Sequence, residues 1–134
     1  MTMPIRVSAL YAAILALLFI VLSVRTLRLR KRLRIAIGDG GNESMLRAIR
    51  VHSNFAEYVP LTLLLIFLVE MTGASALFVH AMGISLIAGR VSHAIGVSRL
   101  RETYTFRVVG MALTFLTLTA AAVTLLIAYF AGLR

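Results

Sequence analysis

Four long apolar stretches, separated by short polar segments, constrain this chain more than any other feature. They cover about residues 7–28, 44–71, 74–97 and 105–130. Each is long enough for a helix across the hydrocarbon core of a bilayer, which takes about 20 residues. Because lipid cannot satisfy backbone polar groups, such segments must be helical. The sequence therefore predicts an all-α integral membrane protein with one domain, residues 1–134, folded as a four-transmembrane-helix bundle.

The composition agrees with this fold class. Of the 134 residues 60% are hydrophobic and 14% are charged, whereas ordinary soluble domains carry about 25% charged residues. The chain has no cysteine, which excludes disulfides and thiolate metal sites, and we expect no metal centre. The run from Val7 to Val24 is long and lacks a clear cleavage motif, so we expect a first span and not a cleaved signal peptide.

The net charge of +9 is concentrated in two basic windows. Twelve of the fourteen Lys and Arg residues fall within residues 25–50 and 90–107, and the loop between the second and third spans has none. This distribution is typical of a polytopic membrane protein, so we expect no nucleic-acid partner. Because basic loops favour the cytoplasmic side, both basic windows are predicted to lie there.

A polar stripe interrupts the second apolar stretch. Arg50, Asn54 and Glu57 stand at positions i, i+4 and i+7, on one face of a 3.6-residue helix. A charged residue in a membrane-spanning helix costs about 2.5–3.5 kcal/mol on insertion scales, so the stripe indicates a role. It could be a ligand site, or a structural network in which Arg50 pairs with Glu57 or with a neighbouring helix. The spacing alone leaves both open.

The predicted topology brings further polar residues to the same depth. The third helix ends and the fourth begins on the cytoplasmic side, which places Arg90, His93 and Arg107 level with the stripe. The end of the first helix adds a basic cluster: Arg30, Lys31, Arg32 and Arg34. A ligand with two carboxylates and one amine, such as glutathione, suits this cationic layer. Nearby cations would also lower the pKa of its thiol and favour the thiolate.

Other polar residues lie outside this layer. His52 points roughly opposite to Asn54 on the second helix, and His80 is expected to pack or form a hydrogen bond between helices. Glu70 is expected at the outer boundary as a merely interfacial residue. The GDGG segment lacks the strand and GK[ST] context of a phosphate loop and is predicted to be a flexible turn.

The second helix carries a motif, Arg50-x-x-x-Asn54-x-x-Glu57-Tyr58-x-Pro60, that resembles the MAPEG family. This family comprises membrane-associated proteins in eicosanoid and glutathione metabolism. The GRVSH segment at residues 89–93 is similar to the prostaglandin E synthase branch. The chain as a whole looks like small uncharacterised bacterial inner-membrane members, and the resemblance covers nearly its full length.

The resemblance implies a homotrimer in a bacterial inner (plasma) membrane, with glutathione as co-substrate between adjacent subunits near the cytoplasmic face. Arg107, near the start of the fourth helix, would act on the thiol. Arg32 is our catalytic candidate from the first helix, with an ambiguous register that leaves Arg30 and Lys31 open. The glutathione-binding positions implied by the family are Arg30, Lys31, Arg50, Asn54, Glu57, Tyr58, Arg90 and His93.

The leading hypothesis is a glutathione transferase or peroxidase that acts on lipophilic electrophiles or lipid hydroperoxides. Val97 departs from the family, because characterised eicosanoid enzymes often carry a tyrosine one turn after the position of His93. The alternative is therefore a non-catalytic membrane scaffold or assembly protein that retains the fold. A small multidrug exporter would need an acid in the first span, which has none. The three histidines lie on different faces and at different depths, which argues against a quinone or haem anchor.

Overall fold

The computed structural model describes residues 6–100 and 104–132, and these ranges form four α-helices. The helices are α1 (Val7–Leu33), α2 (Glu43–Met71), α3 (Ala76–Ser98) and α4 (Tyr104–Phe130). Each one is long and apolar enough to cross a membrane, so the predicted all-α membrane fold is confirmed. The basic loop predicted between the third and fourth spans falls in part on residues 101–103, outside the described residues.

Helix α1 runs past the apolar stretch into the basic segment and ends at Leu33. Straight-chain Leu, Arg and Lys residues favour helix, so the helix continues beyond the membrane-length run. Arg34 then adopts the left-handed conformation with φ 58° and closes the helix with its backbone N–H. The GDGG turn follows, and the Asn42 side chain accepts a hydrogen bond from Met45 N at 3.0 Å to cap α2.

Helices α3 and α4 pack closely because glycines face one another at their contact. A Cβ atom on Gly110 would lie 2.5 Å from His93 N and 2.7 Å from Gly89 O. Only hydrogen on that Cα allows the two backbones to approach so closely. Further along the same contact between α3 and α4, Thr117 Oγ1 donates a hydrogen bond to Ser85 Oγ at 2.9 Å. This hydrogen bond holds the middle of α3 against the middle of α4.

The other end of the bundle is closed by Glu70, whose role differs from the one predicted. The expectation of a merely interfacial residue is wrong, because Glu70 is buried. Its carboxylate accepts hydrogen bonds from Val7 N at 2.6 Å, Ser8 N at 3.0 Å and Ser8 Oγ at 2.5 Å. The first backbone N–H groups of a helix have no intrahelical partner. Glu70 of α2 therefore caps α1.

His52 and His80 each link two helices of the bundle. Tyr11 Oη lies 2.7 Å from His80 Nδ1, which confirms the predicted interhelical hydrogen bond of His80. His52 Nε2 lies 3.0 Å from Ser23 Oγ, and the His52 ring stacks on Phe19 with centroids 4.7 Å apart. Both histidines thus join partners on α1.

Candidate functional site

A cavity of about 370 Å³ opens between α2, α3 and α4, at the end of the bundle where α2 begins. Four predicted site residues line it together: Arg50 and Asn54 from α2, His93 from α3 and Arg107 from α4. The rest of its lining consists of Glu43, Leu46, Arg47 and Val97. The structure thus brings residues from three helices to one concave surface.

Arg90 lies behind Asn54 and does not line the cavity. It is only 2% exposed, and its Nη1 donates to Asn54 Oδ1 at 2.8 Å. Its Nη2 donates to Met111 Sδ at 3.5 Å, and its guanidinium carbon lies 6.0 Å from the Tyr58 ring centroid. Within the described ranges, Arg90 Nε has no hydrogen-bond partner. Because Asn54 Oδ1 is occupied, its amide Nδ2 remains as the donor for a ligand.

Glu43 and Arg47 on the cavity wall were not among the predicted site residues. Arg47 donates to Glu43 Oε1 from Nε at 3.0 Å and from Nη2 at 2.8 Å. Glu43 is exposed whereas Arg47 is half-buried, and such a pair near the surface contributes little stability. Arg47 Nη1 also donates to Val97 O at 3.2 Å, which ties the start of α2 to the end of α3. The spacing of Arg47 and Arg50, i and i+3, could have found this residue.

Arg50 and Glu57 do not form the internal ion pair considered from the sequence. Both side chains are exposed, and in the part of the chain that the structure describes no ion pair joins them. Glu57 is also absent from the cavity lining. Tyr58 is half-buried and packs edge-on against Phe115 of α4, with ring centroids 5.4 Å apart. Of the stripe residues, Arg50 and Asn54 therefore line the cavity, whereas Glu57 faces outwards.

The basic residues at the end of α1 do not reach this cavity within one chain. Arg30 Nη1 donates to Gly38 O at 2.9 Å, which fastens the turn after α1. Lys31 is exposed, and Arg32 lines a different cavity. The structure of one chain therefore does not bring these three residues to the cavity.

The comparison with known proteins agrees with the motif in α2. The MAPEG family model matches residues 8–127, which is most of the chain. The chain belongs to the MAPEG family. Among its relatives are the inner membrane protein YecN of Escherichia coli strain K12 and that of Escherichia coli O6:H1 strain CFT073. Each is 47% identical over 90 residues, which cover 67% of this chain and 69% of the relative.

Val97 gives this MAPEG protein an apolar wall at the position where the family resemblance would favour a tyrosine. Its side chain is buried and lines the cavity, and its carbonyl holds Arg47. Val97 and Leu46 line the same cavity as the cations Arg50 and Arg107. The cavity can hold an anion beside an apolar group, without a hydroxyl at position 97.

Proposed function

We propose that this MAPEG protein binds glutathione in the cavity between α2, α3 and α4. We further propose that it uses the thiolate as a transferase or peroxidase on lipophilic electrophiles or lipid hydroperoxides. One observation carries the proposal: Arg50, Asn54, His93 and Arg107 come from three helices and line one cavity. Family membership supports the choice of glutathione as the ligand.

The charges of the cavity suit an anionic tripeptide. Glutathione has two carboxylates, one ammonium group and a thiol. Guanidinium groups bind carboxylates in bidentate fashion and stay charged when partly buried, which assigns a carboxylate to Arg50 and leaves Arg107 for the thiol. Asn54, held by Arg90, offers its amide N–H. Glu43, the one acid in the described lining, is paired with Arg47, so the cavity favours anions.

The chemistry we propose depends on the thiolate. A cation near the thiol, for which Arg107 is the candidate, lowers the thiol pKa and stabilises the sulfur anion. In conjugation, the sulfur forms a bond to the electrophilic carbon and the leaving group departs with its electron pair. In peroxide reduction, the thiolate attacks one peroxide oxygen, which gives a sulfenic acid and, after protonation, an alcohol. A second glutathione then yields the disulfide and water.

We propose that the active form is a homotrimer with the site completed at the subunit boundary. Glu57 is exposed on a membrane-spanning helix, where a charge facing lipid costs about 2.5–3.5 kcal/mol on insertion scales. A neighbouring subunit would shield it, and its carboxylate would then be available for the glutathione ammonium group. The same assembly would allow Arg30, Lys31 or Arg32 of one subunit to approach the cavity of the next.

The proposed location is a bacterial inner membrane, with the cavity on the cytoplasmic side. The name of the related inner membrane protein YecN supports the first part. The second part is supported by the position of the cavity at the basic ends of the helices. The lipophilic substrate would then arrive from the bilayer itself.

Val97 favours a second candidate function, a non-catalytic scaffold that retains the ligand pocket. A valine in the cavity cannot donate a hydrogen bond to a bound sulfur, whereas a tyrosine can. In this alternative, glutathione binds but is not activated. The two candidates differ in the state of the bound thiol and in turnover.

The test measures the thiolate and the products together. Mixing glutathione with the purified protein should produce thiolate absorbance in the ultraviolet, and a lipid hydroperoxide should then be reduced with formation of glutathione disulfide. Arg107→Ala should abolish the thiolate signal, whereas Arg34→Gln, which removes an exposed charge outside the cavity, should keep it. Binding without thiolate or turnover would establish the scaffold. Absence of binding would refute both candidates.

A further inference from the structure

A second cavity, of about 470 Å³, lies where α1 meets the start of α2 and the end of α3. Its lining consists of Arg25, Arg28, Leu29, Arg32, Ser44, Ser98 and Leu100, and it shares no lining residue with the first cavity. We propose that it is a specific binding site for the phosphate group of an anionic phospholipid. This inference does not require the proposed glutathione chemistry, although the two proposals share Arg32, which is also a candidate for the glutathione site of a neighbouring subunit.

The charge of this cavity is cationic, because three arginines share one face of α1. Arg25, Arg28 and Arg32 stand at i, i+3 and i+7, so their side chains lie over successive turns. No acid occurs in its described lining. Like charges at this spacing repel one another, and a bound anion would remove that repulsion. Phosphate oxygens match the forked donors of guanidinium groups.

Two of these arginines have no competing partner among the described residues. Arg28 and Arg32 are exposed, and neither forms a hydrogen bond or ion pair within residues 6–100 and 104–132. By contrast, Arg25 Nη1 donates to Ser98 Oγ at 2.6 Å. This bond fixes the base of the cavity by joining α1 to the end of α3. The other two guanidinium groups remain available to a ligand.

The start of α2 adds hydrogen-bond donors of a different kind. Ser44 lies in the first turn of α2 and lines the cavity. Backbone N–H groups in a first turn have no intrahelical acceptor, and the positive end of the helix dipole attracts anions. Among the described residues, the Asn42 side chain accepts a hydrogen bond only from Met45 N. The three arginines and the start of α2 are independent features, and both favour an anionic ligand.

The depth of the cavity indicates a lipid phosphate instead of a soluble one. The uncharged run from Val7 to Val24 rises about 27 Å as a helix, close to the roughly 30 Å hydrocarbon core. Arg25 thus stands at the edge of the core, and Arg32 lies about 10 Å further along the axis. Side chains on a helix tilt toward its N-terminus, so the long Arg32 side chain reaches back toward the headgroup layer. Leu29 and Leu100 supply apolar walls beside the glycerol group.

The test compares lipid binding by the whole protein and by charge variants. The protein in detergent is titrated with phosphatidylglycerol, phosphatidylcholine or inorganic phosphate, and bound lipid is measured by native mass spectrometry. We expect phosphatidylglycerol to bind more tightly than phosphatidylcholine. Arg28→Gln and Arg32→Gln should each weaken it about fivefold, the factor that corresponds to about 1 kcal/mol per basic residue near a membrane surface. Arg34→Gln, an exposed charge outside the cavity, should change it little.

Three results would overturn the inference. Equal weakening by Arg34→Gln would show attraction by the net charge alone, without a site. Inorganic phosphate that displaces phosphatidylglycerol at similar concentration would assign the cavity to a soluble anion. Loss of glutathione binding in Arg28→Gln would assign this arginine to the first site. A failure of glutathione binding in the wild-type protein would leave the lipid titration unaffected, so the two proposals can fail separately.

Discussion

At the scale of single residues, Arg90 shows how the site is supported. It is a fully buried cation in a membrane-spanning helix, and its hydrogen bond to Asn54 is its one contact with an oxygen acceptor among the described residues. Removing one partner of a buried charged pair is costly because the remaining charge is left uncompensated. Arg90 is therefore a positioning residue that orients Asn54 and depends on it.

This dependence predicts a specific result in a double-mutant cycle. Asn54→Leu should lower the free energy of unfolding by about 3 kcal/mol, because it leaves the Arg90 guanidinium buried without its acceptor. Adding Arg90→Met should recover part of this loss, since the charge is then gone as well. Thermal unfolding in detergent measures both changes. Additive losses in the double variant would show that the two side chains are not coupled.

At the scale of the helices, two contacts decide where the site lies. The Gly89 and Gly110 backbones meet and bring His93 to the start of α4, and Glu70 fixes the far end of α1 to α2. The first contact sets the width of the cavity. The second keeps α1 in register with α2 at the opposite end.

Gly110→Ala should force α3 and α4 apart. The added Cβ would meet backbone atoms of His93 and Gly89, which cannot move aside as a flexible side chain could. We expect an overpacking cost of about 1–3 kcal/mol and weaker glutathione binding, because His93 is displaced from the cavity. Thermal unfolding and calorimetry measure the two effects. Ala112→Val, on an exposed position of the same helix, is the control and should change neither.

Glu70→Gln should loosen the start of α1. The amide retains one acceptor oxygen but cannot accept all three hydrogen bonds of the carboxylate, so we expect a loss of about 2 kcal/mol. Hydrogen exchange at Val7 and Ser8 should accelerate together with the fall in unfolding temperature. Glu43→Gln, which alters an ion pair at an exposed carboxylate, should cost less than about 1 kcal/mol. Equal effects of the two substitutions would contradict the capping role.

The sequence predicts the helices well and the lateral arrangement of their side chains less well. Long apolar runs and the Asn42 cap determine the helix bounds, and topology determines depth, which is why Arg50, His93 and Arg107 were expected at one level. Which way each side chain faces depends on how the helices rotate against one another. For that reason the burial of Arg90, the Glu70 cap and the second cavity emerge only from packing. The pairing of Arg50 with Glu57 was a possibility that packing excludes in the single chain.

At the scale of the whole molecule, the exposed stripe of α2 predicts self-association. Glu57 faces outwards in one chain and is absent from the cavity lining, and a membrane protein does not favour such a charge against lipid. Native mass spectrometry from a mild detergent should therefore find three copies. A stable monomer that still binds glutathione would contradict the proposed site at the subunit boundary.

The central claim is that the cavity between α2, α3 and α4 holds glutathione, and calorimetric titration tests it most directly. Glutathione should bind the purified wild-type protein and the control Arg34→Gln with the same affinity. Arg50→Ala should weaken binding at least tenfold, since it removes a charge-assisted contact worth about 1.5–3 kcal/mol. No heat of binding in the wild-type protein, or equal affinity in Arg50→Ala, would contradict the account.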